Sequence, residues 1–175
     1  MSDTSNLNAP DPAVRAAVRE LGIAPDTHGP TLNTAVSSAA VELVGRSLSE
    51  ALRPYRPTAV TFWNSSDEAV LGHVVARELG AAVVRADDVE GLVALSTEIA
   101  PDARVVLLAT AWTNPMRLQA LVAMARVGPV EIVAVASVLA SPEQAASELP
   151  TVSLLAADSL APDAVTGAGA AGDRT

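Results

Sequence analysis

The stretch TAVTFWNSSDEAVLGHVVARELGAAVVRA, residues 58–86, reads as strand, helix, strand. TAVTF (58–62) and AAVVRA (81–86) are short β-rich runs. Between them, Asp67 to Leu79 carries apolar residues at helical spacing. Two strands joined by a helix form a βαβ unit. The same alternation continues outward. RVVLLA (104–109) is a continuous apolar run of the kind found in parallel strands covered on both faces, and a helix from Pro115 to Val127 follows it, with Gly128 as its stop. EIVAVASVLA (131–140) is another buried strand. Ser141 with Gln144 three residues on, and Pro142 at the first helical position, predicts a capping box and a short helix over 142–148. TVSLLA (151–156) is the last strand. On the amino-terminal side, Val14, Ala17, Val18 and Leu21 set a helix over 12–21 that ends at Gly22, and a long second helix is predicted from Thr34 to Leu52, stopped by Pro54. The fold class is therefore α/β, a doubly wound, mostly parallel sheet in a single domain over 12–160. The polar segment 1–11 and the small, Gly-rich segment 161–175 are expected to be disordered tails.

Composition limits the chemistry. With no cysteine, disulfides, zinc-thiolate sites and thiol nucleophiles are excluded. The formal net charge is −9, and all 11 basic residues are arginine. Such a surface repels phosphate backbones, so no nucleic-acid partner is expected. No apolar run reaches the roughly 18 to 20 residues that cross a bilayer, and the start MSDTSNLNAPDP is not a signal peptide. The expectation is a cytoplasmic protein with no membrane association.

In doubly wound sheets ligands sit at the carboxyl ends of the strands. Two loops are thereby singled out: Trp63, Asn64, Ser65, Ser66, Asp67 and Glu68 after the first strand of the unit, and Thr110, Trp112, Thr113 and Asn114 after RVVLLA. Their short polar side chains can orient a small ligand beside free helix N–H groups. Helix capping by Ser66 or Asn64, and by Asn114, explains most of the same residues without a ligand. Both tryptophans fall in these loops. They are expected to approach one crevice, where they stack on a planar ligand, fill a disused pocket or anchor a partner, unless each ring packs under its own loop. His28 and His73 are the only histidines and stand at no metal spacing, so no metal site is expected. Asp87, Asp88 and Glu90 form the densest acidic cluster, read as a solvated helix start or loop in preference to a weak Mg²⁺ site.

From Thr58 to Leu160 the order of segments resembles the type I phosphoribosyltransferases, and orotate phosphoribosyltransferase most closely. TAVTFWNSSDEAVLGHVVARELGAAVV resembles that family's first strand, pyrophosphate loop and following helix. RVVLLATAWTNPMRLQALVAMARVGPVEIVAVASVLA resembles its strand, PRPP-binding loop, helix and next strand, and LPTVSLLAADSL its ending. The chemistry departs from the family's pattern. Ala109 and Thr110 stand where the signature loop has two acids that hold the PRPP ribose. Pro115 replaces the loop glycine, and only Thr113 remains of its hydroxyl residues. Asp67 and Glu68 stand where the pyrophosphate loop has small residues, and two carboxylates beside a diphosphate cost several kcal/mol even at an effective dielectric of about 20. The lysines that neutralise the leaving pyrophosphate are missing altogether, leaving Arg85, Arg104 and Arg117 as imperfect substitutes.

The resemblance thus implies a catalytically degenerate protein with no catalytic residues and no cofactor, acting as a small-molecule-binding or protein-interaction subunit. The family's habit of pairing implies a homodimer or a heteromer with a related subunit. The alternative is an active enzyme on this fold. That enzyme would be either an orotate or nucleobase phosphoribosyltransferase using Mg and PRPP with unusual ligands, or a catalyst of a different reaction built on Asp67 and Glu68 with His73 and Thr113.

Overall fold

The computed structural model describes residues 11–24 and 31–156. The two expected tails, apart from Asp11, lie outside the described residues, as do His28 and residues 157–160. Helix α1, Pro12–Leu21, begins as predicted. Asp11 caps it by accepting from the Ala13 N–H, and Gly22, at φ 66°, ends it. Val14, Ala17, Val18 and Leu21 are its buried face. Next come β1, Ile23–Ala24, and β2, Thr31–Leu32, a small antiparallel pair too short to show a periodicity in the sequence.

Helix α2 runs Ser38–Leu52, four residues shorter than the predicted start at Thr34. The reason is local: Ser37 caps it by accepting from Ala40 N–H, Asn33 to Val36 form a turn, and the Thr34 side chain is spent elsewhere. The remaining elements are β3 Ala59–Trp63, α3 Ser66–Leu79, β4 Ala82–Val89, β5 Leu92–Leu95, β6 Arg104–Ala111, α4 Pro115–Ala125, β7 Glu131–Leu139, α5 Pro142–Ala145 and β8 Thr151–Leu155. The main sheet has the order β5-β4-β3-β6-β7-β8, parallel throughout except for the β4/β5 hairpin.

That hairpin corrects the reading of the acidic cluster. Asp87 and Asp88 belong to β4, and Glu90 and Gly91, both at positive φ (55° and 83°), make the two-residue turn into β5. Asp88 accepts from the Gly91 N–H across it at 2.8 Å.

Strand alternation divides the core into two layers. Val60 and Phe62 of β3 face α1, α2 and α3, whereas Ala59 and Trp63 face α4. On the first face the layers touch with nothing between them. A Cβ added to Gly72 would fall against the Phe62 ring, and one added to Gly45 against the Val74 side chain. At the amino-terminal pole of the sheet, Arg104 donates from Nε and Nη2 to the Tyr55 carbonyl (3.1 and 2.9 Å) and pairs with Glu131. Among the described residues no helix is long and apolar enough to cross a membrane.

Candidate functional site

The sheet order places the switch of chain direction between β3 and β6, and the carboxyl ends of these strands carry the two loops singled out from sequence. Ser65, rather than Ser66 or Asn64, caps α3, its Oγ accepting from Glu68 N–H, while Asn114 caps α4 by accepting from Met116 N–H. Asn64 donates its side-chain amide to Asp87 Oδ1 at 2.9 Å. Ser66 and Thr113 face solvent.

The two carboxylates of the first loop turn away from any shared ligand position. Asp67 Oδ1 accepts from both the backbone N–H and the hydroxyl of Thr34, each at 2.7 Å. Glu68 points inward and is buried. Both of its oxygens accept from the Thr110 N–H (3.0 and 2.9 Å), and Oε1 also accepts from the Thr110 hydroxyl at 3.1 Å. Thr110 Oγ1 lies 2.6 Å from Thr31 Oγ1 on β2, so a buried chain of polar atoms runs from α3 through β6 to β2. Burial pushes the Glu68 carboxyl up to about 7. The Thr110 donors and the charge of Arg117 act in the opposite direction, and the neighbouring Asp67 charge adds to the rise.

The tryptophans lie in one core cluster on the α4 face of the sheet, beneath the loops. Trp63 is 7% exposed, its indole N–H donates to the Arg117 carbonyl, and the Arg117 guanidinium stacks 4.3 Å from its ring centre. Trp112 is 2% exposed and donates to the Ala136 carbonyl at 3.0 Å. Of the arginines weighed as stand-ins for lysine, Arg117 is committed to Trp63, and Arg104 starts β6 at the opposite pole, about 23 Å away at the rise of an extended strand. Among the described residues, no three His, Asp or Glu side chains gather as a metal ion would require.

A cavity of about 250 Å³ opens beside this arrangement, between Thr31 of β2, Ala111 and Thr113 at the end of β6, and Leu139, Ser141 and Glu143 at the end of β7. Sequence reasoning missed Thr31, Thr34 and the β7 end. The carboxyl-end rule applied to β7 as much as to β3 and β6. The threonine-rich run PTLNT (30–34) was the one hint that polar side chains enter from the amino-terminal segment.

Comparison with solved structures places this architecture. Orotate phosphoribosyltransferase from Mycobacterium tuberculosis H37Rv matches with 18% identity over 84% of this chain and 95% of its own, at a TM-score of 0.62. A phosphoribosyltransferase from Corynebacterium diphtheriae matches with 18% identity over 84% and 95%, TM-score 0.65, and adenine phosphoribosyltransferase from Leishmania tarentolae with 15% identity over 84% and 88%, TM-score 0.64.

The fold is that of the type I phosphoribosyltransferases.

No family model and no curated protein matches the sequence itself. The polar groups of the loops after β3 and β6 are largely engaged with the protein's own side chains and backbone.

Proposed function

We propose that this chain is a catalytically degenerate phosphoribosyltransferase-like protein of the cytoplasm, working as a small-molecule-binding or protein-interaction subunit. One observation carries the reading. At the switch point, the Thr110 amide and hydroxyl, which a ligand's oxygens would need, are held by the protein's own Glu68 carboxylate. A second anion brought there meets Glu68, with Asp67 beside it in the first turn of α3. Phosphoribosyl transfer rests on electrostatic stabilisation of charge in the transition state, and this end of the sheet supplies charge of the wrong sign. Assembly as a homodimer or with a related, intact subunit is part of the proposal. So is the absence of a cofactor.

Calorimetric titration with Mg-PRPP, followed by pyrophosphate-release assays with orotate and with adenine, tests it. No saturable heat into the millimolar range and no turnover are expected. Saturable binding together with pyrophosphate release overturns the reading.

The Glu68 carboxyl near pH 7 favours a second reading, since a general acid or base works best with such a value. Its oxygens, however, face Thr110 and do not line the cavity. Turnover of any substrate that is lost in Glu68→Gln would establish that reading.

A further inference from the structure

The carboxyl of Glu68 and the hydroxyls of Thr110 and Thr31 make a chain of three polar groups that reaches from the first turn of α3 to the wall of the cavity beside β2. Its links are heavy-atom contacts of 3.1 and 2.6 Å, and among the described residues no other group fixes the proton of either hydroxyl. Counting protons gives each charge state of Glu68 its own arrangement. With the carboxyl ionised, both of its oxygens only accept. Thr110 then gives its one hydroxyl proton to Oε1, and the contact with Thr31 forms with Thr31 as donor. The cavity side of Thr31 is left with lone pairs. With the carboxyl protonated, the Thr110 N–H still donates to Oε2 at 2.9 Å, and an acid proton on Oε1 has Thr110 Oγ1 as the acceptor in reach. Thr110 passes its own proton to Thr31, whose hydroxyl is freed to donate into the cavity. One proton gained at α3 thus turns over both hydroxyl contacts with every heavy atom in place.

We infer that this chain is a proton-driven switch: uptake of a proton by Glu68 reverses the donor sense of both hydroxyl contacts and converts Thr31, at the cavity wall, from an acceptor into a donor. Burial raises the Glu68 carboxyl to about 7, which puts the change near neutral pH. The charged groups facing Glu68 are Arg117 of α4, which favours the ionised form, and Asp67 on its own helix, which opposes it. The strands packed there, β2, β3 and β6, bring only uncharged side chains to it. The switch operates whether or not the chain binds PRPP or a partner, so it stands apart from the proposed function.

Carbon-13 NMR of the Glu68 side-chain carboxyl and the Thr31 Cβ in the full-length labelled chain, recorded from about pH 5 to about pH 9, tests it. Both resonances are expected to titrate with one midpoint. Thr31→Val supplies a sign. Without the Thr31 oxygen the ionised arrangement loses only a donor to Thr110, whereas the protonated one strands the Thr110 hydroxyl proton in a buried site. The Glu68 midpoint should therefore fall by about one pH unit, and Thr31→Ser, which keeps the hydroxyl, should hold it at the parent value. Were the donor sense fixed, with Thr31 always giving to Thr110, loss of that donor would weaken support of the carboxylate and raise the midpoint instead. A midpoint that rises or stays in Thr31→Val overturns the inference. So does a Glu68 carboxyl still ionised at about pH 5. If the valine variant does not fold, the parent decides: a Thr31 resonance that stays flat across the Glu68 transition overturns the switch, and a shared midpoint upholds it.

Discussion

Replacing Glu68 with glutamine should stabilise the protein at neutral pH and leave it unchanged in acid. The carboxyl stands near 7 in the fold against 4.5 when exposed, because burial disfavours its charge. A raised acid favours folding while the buried form stays protonated. The contribution is complete below about pH 4.5 and is lost as pH rises through 7. From 4.5 to about 7, at roughly 1.36 kcal/mol per pH unit, the full change is about 3 kcal/mol. Since the isoelectric point lies near 4.5, measurement belongs above pH 5, where most of that change remains. Glutamine copies the protonated acid: its carbonyl accepts from the Thr110 N–H and its amide donates toward Thr110 Oγ1. Urea unfolding of both proteins at pH 5, 6, 7 and 8, followed by the fluorescence of the two buried tryptophans, gives the difference directly. The gap should be below about 1 kcal/mol at pH 5 and grow to about 3 kcal/mol at pH 8, with Glu68→Gln the more stable. A difference that does not vary with pH would refute the argument, and so would a variant weaker than the parent at every pH.

Trp63→Ala and Trp112→Ala should each lose roughly 3–5 kcal/mol, as large core truncations do, and denaturant unfolding will show whether either ring is instead dispensable to the fold. Gly72→Ala presses a methyl against the Phe62 ring, so a loss of about 1–3 kcal/mol and a fall of several degrees in the thermal midpoint are expected by calorimetry. Gln144→Leu takes the side-chain donor from the Val135 and Val152 carbonyls and an acceptor from the Ser137 and Ser153 hydroxyls, which keep each other and the Leu139 carbonyl as partners, so a cost of roughly 1–3 kcal/mol is expected in the same assay.

Periodicity and punctuation made the scaffold legible. The parallel strands announce themselves as apolar runs, and Gly22, Pro115 and Ser141 mark helix boundaries through backbone geometry that local sequence dictates. The exceptions have physical causes. The β4/β5 turn uses Glu-Gly where the common signal is Asn-Gly or Asp-Gly, so the local sequence does not announce a hairpin and its acidic residues read as a solvated helix start or loop. The Ser141 box formed by half: Ser141 takes the Gln144 N–H, but the Gln144 side chain turns inward to β7 and β8, and α5 stops at Ala145 instead of 148. The site loops were found because the carboxyl-end rule depends on topology alone. What their side chains do was hidden, because it is decided by partners far along the chain. Glu68 meets Thr110 and Asp67 meets Thr34, pairs separated by 42 and 33 residues. An acidic residue in a polar loop reads as solvated until such a partner is known.

The close approach at Gly45 and Gly72 also has a mechanical consequence. At those two points α2, α3 and β3 are seated backbone against side chain, and a sliding helix would have to displace the Phe62 ring or the Val74 side chain. Both layers stay open further out, with a groove of about 370 Å³ between α4 and α5 and one of about 350 Å³ between α2 and α3. The stiff points are thus buried contacts beneath an outer surface that remains grooved on either side of the sheet.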